Sequence, residues 1–293
     1  MIHLGGLPFE IVAGAEPLHA SESAWIARVK SPVAVCAADP FAIEVVPVSP
    51  EWRVAMDAYP ADTPAHIGWA DPLVVVTHRG FRAELDPFRR HGRFCRTISG
   101  RGPLEVAVKV GLCCWLPLLG GVPIHGAGIV LGQAGAGLFF GPSGAGKSTL
   151  AGLAEDPVLS DELVAVREED GRFGARATGF WGTLNREDAP LDPYHVRGLF
   201  ELKQERATRI APVSPHAMLR KLLGVAIVPP APPLWSHVVR VLSRLAESAP
   251  GYELGWSKDA PPWTEIRAVV GISPDIRLTG SAATATEQAG PLP

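Results

Sequence analysis

The hydrophobic pattern changes character near residue 100. Before that point short apolar segments recur between turn signals: Phe9-Glu10-Ile11-Val12, Trp25-Ile26-Ala27-Arg28-Val29, Val33-Ala34-Val35-Cys36, Ile43 to Val48 and Leu73 to Thr77. The 43–48 segment alternates in part, as a half-buried strand does, and Phe81-Arg82-Ala83-Glu84-Leu85 alternates again after a turn at Gly80. Residues 1–100 are therefore predicted to be a β-rich N-terminal domain, of a kind that serves docking or oligomerisation. Its histidines (His66, His78, His91) and the Arg89-Arg90 pair are scattered and mark no catalytic constellation.

After Gly100-Arg101-Gly102 the period lengthens. Leu104, Val108, Leu112, Trp115 and Leu116 recur at helical spacing, with Pro103 suited to the first turn and Pro117 ending the run. This helix is expected to lead into a second domain, 101–278, and to pack against it. Pro123 to Leu131 reads as one buried strand with His125 at its start, Gly132-Gln133-Ala134-Gly135 as a hairpin turn, and Gly137 to Phe140 as the returning strand. Beyond residue 157, Val158-Leu159-Ser160 and Leu163 to Val166 flank the acids Asp161-Glu162. A turn at Glu168–Gly171, a strand over Arg172–Thr178, a loop-rich stretch over 179–193 and a strand over His195–Leu202 come next. Ser214-Pro215 supplies an N-cap and first position for a helix over 215–227. Leu234, Val238, Val241, Leu242 and Leu245 mark an amphipathic helix, Tyr252–Trp256 a strand, and Trp263–Val270 a last helix. Residues 279–293 read as a disordered tail. The predicted fold class is α/β with a mixed sheet, plus the N-terminal β-rich region.

Composition narrows the function classes. The 293 residues are 47% hydrophobic and 19% charged, enough for a sizeable core. A net charge of -3 gives no basic excess for a nucleic-acid partner. Val110–Leu119, the longest uncharged apolar run, is about half of the roughly 20 residues that span a bilayer, and the first residues lack a charged n-region. A soluble protein without a signal peptide or membrane partner is predicted. The four cysteines show no zinc spacing and suit a reducing cytoplasm, with Cys113-Cys114 expected as buried thiols.

The chemistry concentrates in Gly141-Pro142-Ser143-Gly144-Ala145-Gly146-Lys147-Ser148-Thr149, a full match to the phosphate-loop pattern G-x-x-x-x-G-K-[ST]. Glycines let a phosphate approach the backbone, successive N–H groups point at it, and the helix after the loop adds its positive end. Lys147 is expected to reach the β- and γ-phosphates and Ser148 to bind Mg²⁺. Asp161, fourteen residues after Lys147, sits where an acid closes a short apolar strand. It is expected either as base toward an incoming hydroxyl or as a ligand to Mg²⁺, directly or through water. Glu162 is the second candidate for both. Arg186 and Arg197 are candidate γ-phosphate stabilisers, though no motif fixes either.

Together, Ile124-His125-Gly126-Ala127-Gly128, the Gly141–Thr149 loop and Leu159-Ser160-Asp161-Glu162-Leu163-Val164 resemble the catalytic domain of the bacterial HPr kinase/phosphorylase family. They are most similar to its shorter relatives found beside peptide-modification genes. The resemblance covers roughly 122–270, with strong motifs only over 124–164. It implies a nucleotide domain like that of phosphoenolpyruvate carboxykinase, where strands rather than a βα unit precede the loop. It also implies an ATP- and Mg²⁺-dependent serine kinase with Asp161 activating the serine hydroxyl, His125 on the strand before the loop, and Lys147 and Ser148 in the loop. His125 would either hydrogen-bond near the γ-phosphate or brace the loop. The family's second aspartate is Glu162 here, and the phosphorylase-associated segment is not recognisable at 179–200. The expected partner is a protein or peptide carrying a serine, and a homo-oligomer is left open. Two other readings stand beside this: a small-molecule kinase acting on an amino-acid-like alcohol, and a nucleotide-binding regulator without catalysis. An ABC-type ATPase is disfavoured by the missing Leu-Ser-Gly-Gly-Gln-like signature.

Overall fold

A computed structural model describes residues 1–29, 39–60, 62–184, 186 and 189–271. The protein is mixed α/β, built on two mixed sheets. The strand expected over 33–36 and the tail over 279–293 lie outside the described residues.

The first sheet comprises β1 (Ile2–Leu4), β2 (Leu7–Ala13), β3 (Phe41–Val45), β4 (His66–Ala70), β5 (Leu73–His78), β6 (Phe81–Asp86) and β7 (His91–Arg96), in the order β1-β2-β3-β7-β6-β5-β4. β3 lies parallel to both β2 and β7, and the other pairs are antiparallel. Alternation fits one covered face: Phe41, Ile43 and Val45 are buried while Ala42 and Glu44 are half-exposed.

Two helices interrupt this β-rich region. Helix α1 (Ala20–Val29) replaces the strand expected at Trp25–Val29. Five residues cannot separate the two periods, but the buried side chains decide it. Glu22 and Trp25 lie three apart on one helical face. Trp25 stacks on Phe180, with ring centroids 6.4 Å apart, and Glu22 accepts from the His19 amide at 2.7 Å. Helix α2 (Pro50–Asp57) starts at Ser49, whose hydroxyl accepts from the Trp52 amide at 3.2 Å, with Pro50 in the first turn.

Helix α3 (Gly102–Trp115) is extended by a 3₁₀ turn at Leu116–Leu119. The sequence pattern anticipates packing on the second domain, and the helix packs on the first sheet as well. Leu104, Ala107, Val108 and Leu112 share one cluster with Phe9, Phe41 and Phe94 of the first sheet and with Leu163 and Ala165 beyond it. Each large apolar side chain buried there contributes about 1.5–3 kcal/mol. By length and composition Gly102–Leu119 could cross a membrane, but 67% of it is buried inside the protein. Burial pushes the Cys113 thiol up to about 12 and Cys95 to about 11, so neither is a thiolate at neutral pH.

Among the described residues the second sheet has nine strands. They are β8 (Gly121–His125), β9 (Ala127–Val130), β10 (Ala136–Phe140), β11 (Val158–Ser160), β12 (Leu163–Glu169), β13 (Arg172–Ala177), β14 (Tyr194–Gln204), β15 (Arg209–Val213) and β16 (Gly251–Trp256). Their order is β11-β9-β10-β14-β13-β12-β8, with β16 beside β14 and β15 beside β16. β14 is parallel to β10 and to β16. Helix α4 (Lys147–Gly152) comes after β10; α5 (Pro215–Leu223) and α6 (Pro232–Ser248) cover one face, and α7 (Trp263–Val269) is the last described element. α5 keeps its Ser214 cap but stops at Leu223, and the chain then bridges to β8, the Ile227 amide donating to Pro123 at 2.9 Å.

The single strand expected over Pro123–Leu131 is two strands, broken at Gly126. β8 pairs with β12, whereas β9 pairs with β10 and β11. A Cβ at Gly126 would stand 2.7 Å from the Phe139 carbonyl oxygen, so only glycine allows this passage under β10. The facing chain breaks at the same level, between β11 and β12, and the Gly126 amide donates across to the Glu162 carbonyl at 3.1 Å. Through these two breaks the opposite ends of the sheet are joined by the chain itself.

Candidate functional site

The site stands where that seam meets the end of β10. Hairpin-related strands β9 and β10 are joined by a 3₁₀ turn at Gly132–Ala134, as the sequence pattern anticipates, and β10 delivers the chain into the Gly141–Thr149 loop. Gly144 and Gly146 take φ of 81° and 96°, in the left-handed region that favours glycine. A Cβ at Gly146 would also lie 2.6 Å from Cζ2 of Trp256, so the loop is pressed against that indole. Trp256 Nε1 donates to the Ala145 carbonyl at 3.3 Å, and Gln204 Nε2 donates to the Gly144 carbonyl at 2.6 Å. These two braces from β14 and β16 carry no signal in the sequence beyond an aromatic and an amide at strand ends.

Lys147 turns back into the loop. Its Nζ donates to the carbonyls of Gly141 at 3.0 Å and Pro142 at 3.2 Å. Burial pushes its pKa down, with the Glu162 carboxylate acting against that. The ammonium is thus held at the centre of the loop, while Pro142, Ser143, Gly144 and Thr149 remain exposed at its rim. α4 has only six residues, so the donors here are loop amides rather than a long helix dipole.

Asp161 and Glu162 fill the crossing from β11 to β12. Ser160, just before them, locks the crossing: its hydroxyl donates to the Phe180 carbonyl at 2.8 Å and accepts from the amides of Glu162 and Leu163, both at 3.0 Å. Asp161 is 2% exposed. Its Oδ1 accepts from the Gly182 amide at 2.9 Å, and its Oδ2 accepts from the Thr183 amide at 3.0 Å, the Thr183 hydroxyl at 3.1 Å and the Leu184 amide at 3.1 Å. The Ser148 hydroxyl lies on the same carboxylate and favours its ionised form. Burial pushes the Asp161 carboxyl up, but the Ser148 hydroxyl and the amides of Gly182, Leu184 and Thr183 outweigh it and hold the group below the usual aspartate value. The three consecutive amides come from the stretch after β13, which the sequence reads only as loop.

Glu162 points the other way and is 34% exposed. The register of β8 on β12 sets Leu163 opposite His125, which brings His125 beside Glu162. His125 Nδ1 lies 3.0 Å from the Glu162 carbonyl oxygen and 3.8 Å from its carboxylate. A carbonyl only accepts, so Nδ1 carries the proton and Nε2 is the ring's open acceptor in the neutral form. Lys109 of α3 completes the corner: its Nζ is 3.7 Å from Glu162 Oε1 and 5.2 Å from the centre of the Phe180 ring. The sequence does not point to Lys109, because its place depends on how α3 packs.

Arg186 and Arg197 stand elsewhere. Arg186 lines a separate cavity with His3, Arg28 and Trp181, and Arg197 donates to the Val270 carbonyl at 3.4 Å. The structure therefore brings together Lys147, Ser148, Asp161, Glu162 and His125, adds Lys109, and leaves both arginines out. Among the described residues no group of three His, Cys, Asp or Glu side chains could hold a metal by itself. A divalent cation at Ser148 and Asp161 would complete its shell from ligand oxygens and water, as Mg²⁺ does with phosphates. No protein-family model matches this chain, and no curated protein matches it.

Proposed function

We propose that the protein is an ATP-dependent kinase that transfers the γ-phosphoryl group to a serine hydroxyl of a protein or peptide, on a nucleotide domain of the HPr kinase and phosphoenolpyruvate carboxykinase type. The observation that carries the reading is the joint placement of Lys147 Nζ inside the glycine loop and of Ser148 against Asp161. The antiparallel entry of β9 into β10 supports the proposed domain type.

In this reading the amides of Gly141–Thr149 cradle the phosphates and Lys147 neutralises the β- and γ-oxygens. Ser148 and Asp161 would hold Mg²⁺, directly or through water; the ion supplies charge neutralisation at the phosphates. Of the two roles open to Asp161, the base role is disfavoured, since both its oxygens already accept hydrogen bonds and its pKa is lowered. Glu162 then takes the proton of the incoming serine. As the serine oxygen bonds to phosphorus, the bond from phosphorus to the β,γ-bridging oxygen breaks and ADP leaves, with Lys147 and Lys109 facing the charge that spreads over the transferring group. His125, tied to the Glu162 carbonyl, keeps that corner of the backbone in place.

Incubation with γ-labelled ATP, Mg²⁺ and serine peptides encoded by neighbouring genes is expected to yield a labelled peptide with the wild type and none with Lys147→Ala. If no peptide or protein acceptor is labelled by the wild type, the kinase reading fails.

A further inference from the structure

A sheet edge presents unpaired N–H and C=O groups, and proteins blunt such edges with short strands, prolines, charges or covering chain. Among the described residues the outermost strands of the two sheets are β1, β4, β8, β11 and β15. All but β4 are blunted in one of these ways. β1 runs into the second sheet, the Gly5 amide donating to the Ala177 carbonyl at 3.0 Å. β8 is bridged by the chain after α5: the His125 amide donates to the Val225 carbonyl at 2.7 Å, and the Ile227 amide to Pro123 at 2.9 Å. β11 is three residues long, and β15 carries Arg209 and Pro212.

β4 has none of these devices. Among the described residues it pairs with β5 alone, in unbroken register from His66 opposite Thr77 to Ala70 opposite Leu73. Its sequence, His66-Ile67-Gly68-Trp69-Ala70, contains no proline, lysine, arginine or acid. Ile67 and Trp69 are half-buried against the core cluster of the first sheet, so the strand is held in place while its outer edge is left to bond.

We infer that β4 is a docking edge for an extended peptide segment bearing Lys or Arg, which adds to the first sheet as a further strand. Backbone hydrogen bonds supply the pairing, and charge selects the occupant. From Val54 to His78 the chain has no Lys or Arg, and its formal charges are Asp57, Asp62 and Asp71, all exposed. Asp62 precedes β4 and Asp71 follows it directly, so both ends of the edge are acidic. Arg53 and Arg79 bracket this stretch in sequence, and Arg82, on β6, is committed to Glu84 and Thr77. The same acids oppose a second copy: antiparallel pairing of β4 with itself would bring Asp62 of one copy toward Asp71 of the other. β4 lies at the far end of the first sheet from β1, so docking there is independent of what the phosphate loop does.

The test uses the full chain and three labelled synthetic peptides. The first is Lys-Thr-Val-Lys-Val-Thr-Lys, the second has Glu for each Lys, and the third is the Lys peptide N-methylated throughout its centre, which keeps the charge and cannot join a ladder. Affinity is read by fluorescence anisotropy and location by backbone amide exchange. Wild type is expected to bind the Lys peptide about tenfold or more tighter than either of the others, and binding is expected to slow exchange within His66–Ala70. The triple variant D57N/D62N/D71N, at exposed positions, is expected to lose about tenfold in affinity for the Lys peptide and to keep its urea midpoint. Equal binding of the Glu peptide, or unchanged affinity in the triple variant, would overturn the basic occupant. Equal binding of the N-methylated peptide, or binding without protection of His66–Ala70, would overturn strand addition, and no binding of the Lys peptide would overturn both. Protection of β4 that grows with protein concentration in the absence of peptide would make the edge an interface between copies and overturn the peptide assignment.

Discussion

On the inward side of the β11–β12 crossing, Asp161 receives bonds from three consecutive amides and the Thr183 hydroxyl, at 2% exposure. On the outward side Glu162 is 34% exposed and meets the Lys109 ammonium and the His125 ring only at 3.7 and 3.8 Å. The two residues differ by one methylene and adjoin in sequence, and their surroundings give them opposite capacities. A carboxylate that accepts from every side is fixed in place and resists protonation. One with open lone pairs can receive a proton from an approaching hydroxyl. Identity as an acid therefore says little about role until the donors around it are known.

The strongest way to break this contrast is Asp161→Ala. It would leave the amides of Gly182, Thr183 and Leu184 without their acceptor, so unfolding in urea is expected to show a loss of about 3 kcal/mol. An unchanged midpoint would remove Asp161 from its anchoring role. Glu162→Gln should separate the two acids next. Transfer is expected to fall about 10²- to 10⁴-fold, as on loss of a general base, with ATP affinity kept and stability within about 0.5 kcal/mol of wild type. Full transfer by this variant would return the base assignment to Asp161. The smallest effect lies in acid. Because the folded pKa of Asp161 is depressed, its stabilisation is complete above its unfolded value of about 3.9 and is lost as pH falls through the folded value. Urea midpoints between about pH 6 and pH 2 should fall less steeply for Asp161→Asn than for wild type. Equal slopes would show that Asp161 does not titrate with folding.

The sequence made the loop and its entrance legible because both depend on local chemistry. Glycines at 144 and 146 are demanded by positive φ, and the Gly132–Gly135 turn announces the hairpin. The Ser214-Pro215 cap was equally readable. The same pair at Ser49-Pro50 also starts a helix, and it is hidden by the apolar strand that precedes it. Other features needed contacts distant in sequence. The break at Gly126 arises from the nearness of the Phe139 carbonyl, the α1 helix from burial of Glu22 and Trp25, and the Lys109–Glu162 pair from the seating of α3. No window of neighbouring residues contains that information. The same holds for the donors to Asp161, which come from a stretch whose composition says only loop.

Helix α3 also bears on how the molecule comes apart. Its apolar side chains lie in one cluster with Phe9 and Phe41 on one flank and Leu163 and Ala165 on the other. Neither sheet can lose the helix without exposing core to water, so melting of either half withdraws support from the other. Heating is expected to give a single calorimetric transition whose enthalpy equals its van't Hoff value, and two separable transitions would show that the halves melt independently. Lys109 is carried on that same helix, so its approach to Glu162 should disappear with the last of the tertiary structure and not before.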